Sequence, residues 1–163
     1  MGTREGYDAF LAALRKETGI EAFAADESGL VSIRVDDTYN VNLQFVEATG
    51  KILCFVEIAT LPKDASAAVF RNLLAGGLFG KETAGGYFAL EAKSDTVVYN
   101  YFFDFEKAAS DVDDFVATIE KILQLCEIWS ERIRRDLAGE GVEGASHENA
   151  ERNLHLPGMM IRA

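Results

Sequence analysis

Cysteine, proline and histidine each occur only twice in the 163 residues, and tryptophan once. The two cysteines, Cys54 and Cys126, both lie inside apolar runs. That count and placement exclude a disulfide scaffold or a CxxC redox site and predict buried free thiols in a reducing compartment. His147 and His155 both fall near the end of the chain, so residues 1–137 hold no histidine to activate a cysteine or serine nucleophile. His147-Glu148 with Glu151 could be drawn as a metal cluster. Its glycine-studded setting offers no rigid frame for ligands, and no metal or cofactor is expected. Basic residues are also scarce: 16 Lys and Arg face 27 Asp and Glu, a formal charge of -11. With no local basic patch, nucleic acid and anionic lipid surfaces are poor partners, whereas a neutral or basic polypeptide is the easier match. No apolar run approaches the roughly 20 residues of a membrane span, so membrane insertion is not expected. Met1 to Gly6 develops no signal-peptide core, and position six lacks the Ser or Thr of a myristoylation signal. A cytoplasmic location is expected.

Sites for chemistry are equally few. Gly76-Gly77-Leu78-Phe79-Gly80-Lys81 superficially suggests a phosphate loop. However, Ala75 stands where its first glycine belongs, Glu82 follows the lysine, and a helix rather than a strand precedes it. A helix terminus and a flexible crossing explain those glycines. Asp36-Asp37 ends a strand, and Asp111, Asp113 and Asp114 open a helix, so these carboxylates have structural roles. The expectation is a protein that is not an enzyme and has no small-molecule substrate.

What is abundant is apolar surface: 48% of the residues are hydrophobic. Tyr7, Phe10, Leu11 and Leu14 form one stripe of a helix over residues 3–18, which Gly19 terminates. Three strands follow, at 30–35, 39–45 and 51–61. In the second, Tyr39, Val41, Leu43 and Phe45 alternate with Asn40, Asn42 and Gln44; the third is apolar on both faces. Short loops make the trio an antiparallel meander. Pro62 closes it, and Asp64 or Ser66 caps a second helix carrying Val69, Phe70, Leu73 and Leu74 beside several alanines. Tyr87–Glu91 and Val97–Phe105 read as a hairpin. A last helix, over 110–137, opens with a Ser110/Asp113 capping box. It would be about 42 Å long, so its last two turns are expected to project past the sheet.

The fold class is therefore α+β: helix, three strands, helix, two strands, helix, with an antiparallel sheet packed by helices. The order excludes a dinucleotide-binding fold. Residues 1–138 are expected to form the domain and 139–163 a flexible acidic tail ending in the apolar patch Leu154 to Ile161. Two strands carry apolar residues on both faces, more than one helix layer can cover, which leaves either a well-filled monomer core or burial against a second copy or a bound peptide.

The same stretches resemble a known family. They are Val41-Asn42-Leu43-Gln44-Phe45, Thr49 to Leu53 with Leu61-Pro62, Phe70 to Phe79, Thr83 to Leu90, and Phe115, Ile119 and Glu127-Ile128-Trp129. Together they resemble the class I type III secretion chaperones, the Tir chaperone (CesT)-like family, over roughly residues 5–137. The family's usual Leu-Leu-Glu-Ala-Asn ending of the second helix appears here as Leu73-Leu74-Ala75-Gly76-Gly77. The resemblance implies a bacterial cytoplasmic homodimer that binds the N-terminal region of a secreted effector, keeping it extended and secretion-competent without ATP. It places the dimer interface at Val69, Phe70, Leu73, Leu74, Leu78, Phe79 and Phe88. Effector binding would fall on patches of the first helix and the sheet: Leu11, Leu14, Leu43, Phe45, Phe55 and Val97. An adaptor or structural protein of the same fold, binding a non-secreted partner, is the alternative.

Overall fold

In the computed structural model, which describes residues 2–139, five antiparallel strands carry all the helices on one face. The chain runs α1 (Arg4–Thr18), β1 (Leu30–Val35), β2 (Tyr39–Val46), β3 (Lys51–Thr60), α2 (Ala67–Gly76), a 3-10 turn (Leu78–Gly80), β4 (Tyr87–Glu91), β5 (Thr96–Asp104), α3 (Phe105–Ser110) and α4 (Val112–Leu137). Strand order is β1-β2-β3-β5-β4, so β1 and β4 are free edges. His147, His155 and the Leu154 to Ile161 patch lie outside the described residues.

Sequence chemistry explains the elements. The Thr3 hydroxyl accepts from the Gly6 amide at 3.1 Å to cap α1, and Gly19, at φ 70°, returns its N–H to Arg15 at 2.9 Å. The apolar stripe of α1 then lies on the sheet: Tyr7 stacks on Phe45 at 5.5 Å, and Phe10 meets Phe115 of α4 edge-on at 5.1 Å. On the covered face, Val31, Leu43 and Cys54 sit side by side in register and are fully buried. The other face is open. There Asn42 accepts from the Ser32 hydroxyl at 2.8 Å and donates to the Phe55 carbonyl at 3.4 Å, so its amide is satisfied where it lies in the sheet. A register shift between Glu57 and Ala59 marks a bulge at Ile58.

Two expectations need correction. The last helix does not start at a Ser110/Asp113 box. Asp104 caps a separate short helix, α3, through the Lys107 amide, and Asp111 accepts from the Asp114 amide at 3.0 Å to start α4. An acceptor one residue on from Ser110 captured the helix start. Nor does the end of α4 project freely. Trp129 and Ile133 are buried, and Asn72 of α2 donates to Asp136 at 2.8 Å. The contact depends on Gly76, because a Cβ there would overlap the Trp129 ring. The close approach rests on that one glycine: Ala67, Ala68 and Ala75, the small residues expected to allow it, are exposed.

Candidate functional site

The crossing from α2 to β4, expected to be flexible, is tied down by side chains of β5 and α4. Tyr99 donates to the Thr83 carbonyl at 2.7 Å, the Trp129 indole N–H donates to the Glu82 carbonyl at 3.0 Å, and Arg132 pairs with the Glu82 carboxylate. Gly86 runs so close to the Tyr99 ring that no side chain would fit. This bracing presents α2, the 3-10 turn and β4 as the walls of an apolar groove of about 460 Å3. Phe70, Leu74, Leu78 and Phe79 form one wall, Tyr87, Phe88 and Leu90 the other, with Leu73 and Val97 beneath, and no charged side chain among the described residues lines it. Leu74 is 79% exposed, Phe79 67% and Leu78 60%. Phe79 also sits in the left-handed region at φ 58°, a conformation bulky residues rarely adopt. An aromatic ring is thus held out in water at a backbone cost of about 1–2 kcal/mol.

A second, smaller hollow of about 170 Å3 lies where the end of α1 meets the sheet and α4. Ile20 and Phe23 rim it, Val35 and Leu43 supply the sheet side, Val116, Ile119 and Leu123 the helix side, and Glu120 is its one charged lining residue among the described residues. The open sheet face supplies a third apolar surface: Tyr87 and Phe102 stack at 6.5 Å beside half-buried Phe55 and Val98.

The residues expected at the two sites fall out unevenly. Of the interface set, Phe70, Leu74, Leu78 and Phe79 are exposed in the groove, Phe88 is half-buried there, and Val69 and Leu73 turn into the core. Of the effector set, Leu11, Leu14 and Phe45 are core residues without exposed surface. The stripe of α1 that seals the sheet cannot also face solvent. Leu43 is buried at the bottom of the smaller hollow, Phe55 lies half-buried on the open face, and Val97 belongs to the floor of the large groove rather than to a first-helix patch. Sequence reasoning did not single out Ile20, Val35, Val116 or Leu123 for the hollow. One signal was available: an apolar residue directly after the helix-ending glycine, as Ile20 follows Gly19, commonly folds back onto its helix.

Titratable chemistry is sparse among the described residues. Burial pushes the Cys54 and Cys126 thiols up to about 12, which keeps them protonated and unreactive. Burial likewise raises Tyr7 and Tyr99 well above the usual phenol range. The strongest depression is at Glu131, held near 2 by hydrogen bonds from Arg134 and Arg135 on the exposed face of α4. Among the described residues no group of three or more His, Cys, Asp or Glu could hold a metal, and no helix is long and apolar enough to cross a membrane.

Comparison with known proteins adds an independent line. The Tir chaperone protein (CesT) family matches residues 9–130. Among solved structures, a chain of the ExsC-ExsE complex superposes with a TM-score of 0.70 at 17% identity, covering 82% of this chain and 97% of that one. A chain of the HopA1-SchA chaperone-effector complex gives 0.59 at 21% identity, covering 79% and 93%. A chain from the Yersinia pestis type III secretion chaperone SycH in complex with a fragment of YscM2 gives 0.53 at 17% identity, covering 73% and 98%. At these identities the superpositions speak to the fold.

Proposed function

The chain belongs to the Tir chaperone (CesT) family, and from that premise we propose that it works as a homodimer holding the N-terminal region of a type III secreted effector extended in the bacterial cytoplasm. The observation that carries the reading is the uncharged groove with Leu74, Leu78 and Phe79 in water. A contiguous apolar face of this kind, rimmed by an unpaired edge strand, marks a protein contact rather than a reaction site. Two copies related by a twofold axis would bury each of these side chains twice, which offsets the several kcal/mol that association costs.

The effector would then use what the dimer leaves open. The small hollow takes single side chains, and the free edge of β1 and the open sheet face suit an extended backbone. An extended, unfolded cargo pays ordering entropy as it binds, so it is held at an affinity from which it can still be released. The acidic body favours neutral or basic cargo and keeps the complex soluble. Neither role calls for a nucleophile, which agrees with thiols held protonated by burial.

Co-purification from the native cell, with the bound polypeptide identified and the particle mass measured by light scattering, tests the proposal. Two copies of this chain with one secreted polypeptide is the expected result. A monomer free of any partner at micromolar concentration would overturn it.

A further inference from the structure

Residues 152–162 read Arg-Asn-Leu-His-Leu-Pro-Gly-Met-Met-Ile-Arg: two arginines, no acidic residue, and five large apolar side chains. In a chain of formal charge -11, this +2 segment leaves -13 on the rest. It has the chemistry that the acidic, apolar-pocketed body selects for in a client. We propose that this segment is an internal client, seated in the hollow between α1, the β1–β2 sheet and α4 until an effector displaces it. The inference rests on the reading of that hollow as part of the client site.

Reach and charge favour this hollow. The segment follows α4, the helix whose Val116, Ile119 and Leu123 wall the hollow. From Leu137 back to Ile119 is 18 residues of helix, about 27 Å. Ala138 and Gly139 close the helix in a turn, and the 12 residues 140–151 span at most about 40 Å, which still covers the distance. A short tether that can span its two ends gives an effective concentration in the millimolar range, enough to fill even a weak site. The one charge on the hollow's lining is the Glu120 carboxylate, opposite in sign to Arg152 and Arg162. The larger groove carries no charge for those arginines to meet, and its proposed occupant is a second copy. A volume of 170 Å3 takes a few side chains such as Leu154 or Met160, not a folded domain.

An effector must then compete with a ligand already in place. With a tether near 1 mM and an intrinsic affinity near 100 μM, the apparent affinity of a competitor falls about tenfold. Only cargo that also engages further surfaces of the sheet would displace the segment, which gives the chaperone a threshold against short apolar peptides.

The test uses the full chain, wild type and with Leu154→Asp, Leu156→Asp and Met160→Asp combined. The probe is a fluorescein-labelled synthetic peptide of residues 150–163 added in trans. The peptide should bind the substituted protein about tenfold more tightly than wild type, and Glu120→Lys added to the substituted protein should reduce that binding. Methyl NMR differences between the two full-length proteins should fall on Ile20, Val35, Ile119 and Leu123. Equal affinities, no binding to either protein, or differences confined to Leu74, Leu78 and Leu90 would overturn the inference. An effector that binds both proteins equally well, yet loses affinity on Ile20→Asp, would remove the internal client and leave the client site standing. Insensitivity to Ile20→Asp would remove the site itself.

Discussion

Replacing Leu74 by Asp tests the proposed self-association separately from folding. Leu74 is 79% exposed on α2, so the subunit core does not depend on it. In a twofold dimer built on the groove, the residue is lost on both sides of the interface. Burying a leucine side chain that starts mostly exposed contributes about 2 kcal/mol, so two copies lose about 4 kcal/mol. At 1.4 kcal/mol per decade, dissociation becomes about a thousandfold easier before the desolvation of two carboxylates is counted. Sedimentation equilibrium from nanomolar to micromolar protein reads that change directly, and the thermal midpoint at fixed low concentration reports the subunit. The expected outcome is a monomer with the wild-type circular dichroism spectrum. A variant that dimerises as tightly as wild type would show that the groove is not the interface. Phe79→Gly gives a sharper contrast: it relieves the backbone cost at φ 58°, about 1–2 kcal/mol, and also removes a ring of the proposed interface. The isolated subunit should melt a few degrees higher while the dimer weakens. A lower subunit midpoint would refute the reading of Phe79 as strained for contact.

Gly76→Ala should force α2 away from the Trp129 ring and cost about 1–3 kcal/mol in chemical denaturation; an unchanged midpoint would mean that the two helices part freely. Ile20→Asp, at an exposed position on the rim of the small hollow, should weaken effector binding at least tenfold in a titration while the dimer mass stays constant. Leu14→Ala, by contrast, should cost about 2–5 kcal/mol of stability, because it opens a cavity between α1 and the sheet. For Cys54 and Cys126 the folded pKa is raised above the unfolded one, so their contribution is complete below about pH 9 and is lost as pH rises towards 12. The denaturation midpoint should fall across that window, and iodoacetamide at pH 8 should leave the native protein unmodified. Glu131 has the opposite sign: its ion pairs with Arg134 and Arg135 persist above pH 4.5 and disappear as pH falls through about 2. Helicity at the end of α4 should follow that acid limb and weaken in high salt.

Local patterns made most of the fold legible. The period-two alternation of Val41, Leu43 and Phe45 against Asn40, Asn42 and Gln44 is the register seen in β2, and the α1 stripe is the one buried. The clustering of Phe70, Leu74, Leu78 and Phe79 in one short stretch around Gly76 and Gly77 was legible too, but that they face β4 across a groove was not. Effector contacts were not legible, because an apolar periodic residue reads the same whether its partner is the protein's own sheet or another chain. Leu11, Leu14 and Phe45 show this: their spacing marks an apolar face without naming what covers it. The α3/α4 break was missed because Ser110 and Asp111 are both competent caps; in the structure the Ser110 hydroxyl donates back to the Lys107 carbonyl while the Asp111 carboxylate accepts from the Asp114 amide.

Taken alone, the amino-acid order determined the five strands and the three longer helices, the antiparallel hairpin connections, the acidity and the poverty of nucleophiles, because each is a property of neighbours in the chain or of composition. Which apolar faces meet and which are left to water was decided only by tertiary packing. Helices α1, α2 and α4 all settle on one side of five strands, since Phe10, Phe103 and Phe115 join there and Gly76 admits Trp129. That one-sided arrangement leaves the α2–β4 groove and the far sheet face without cover, and sidedness between distant elements is a quantity no local window of sequence contains.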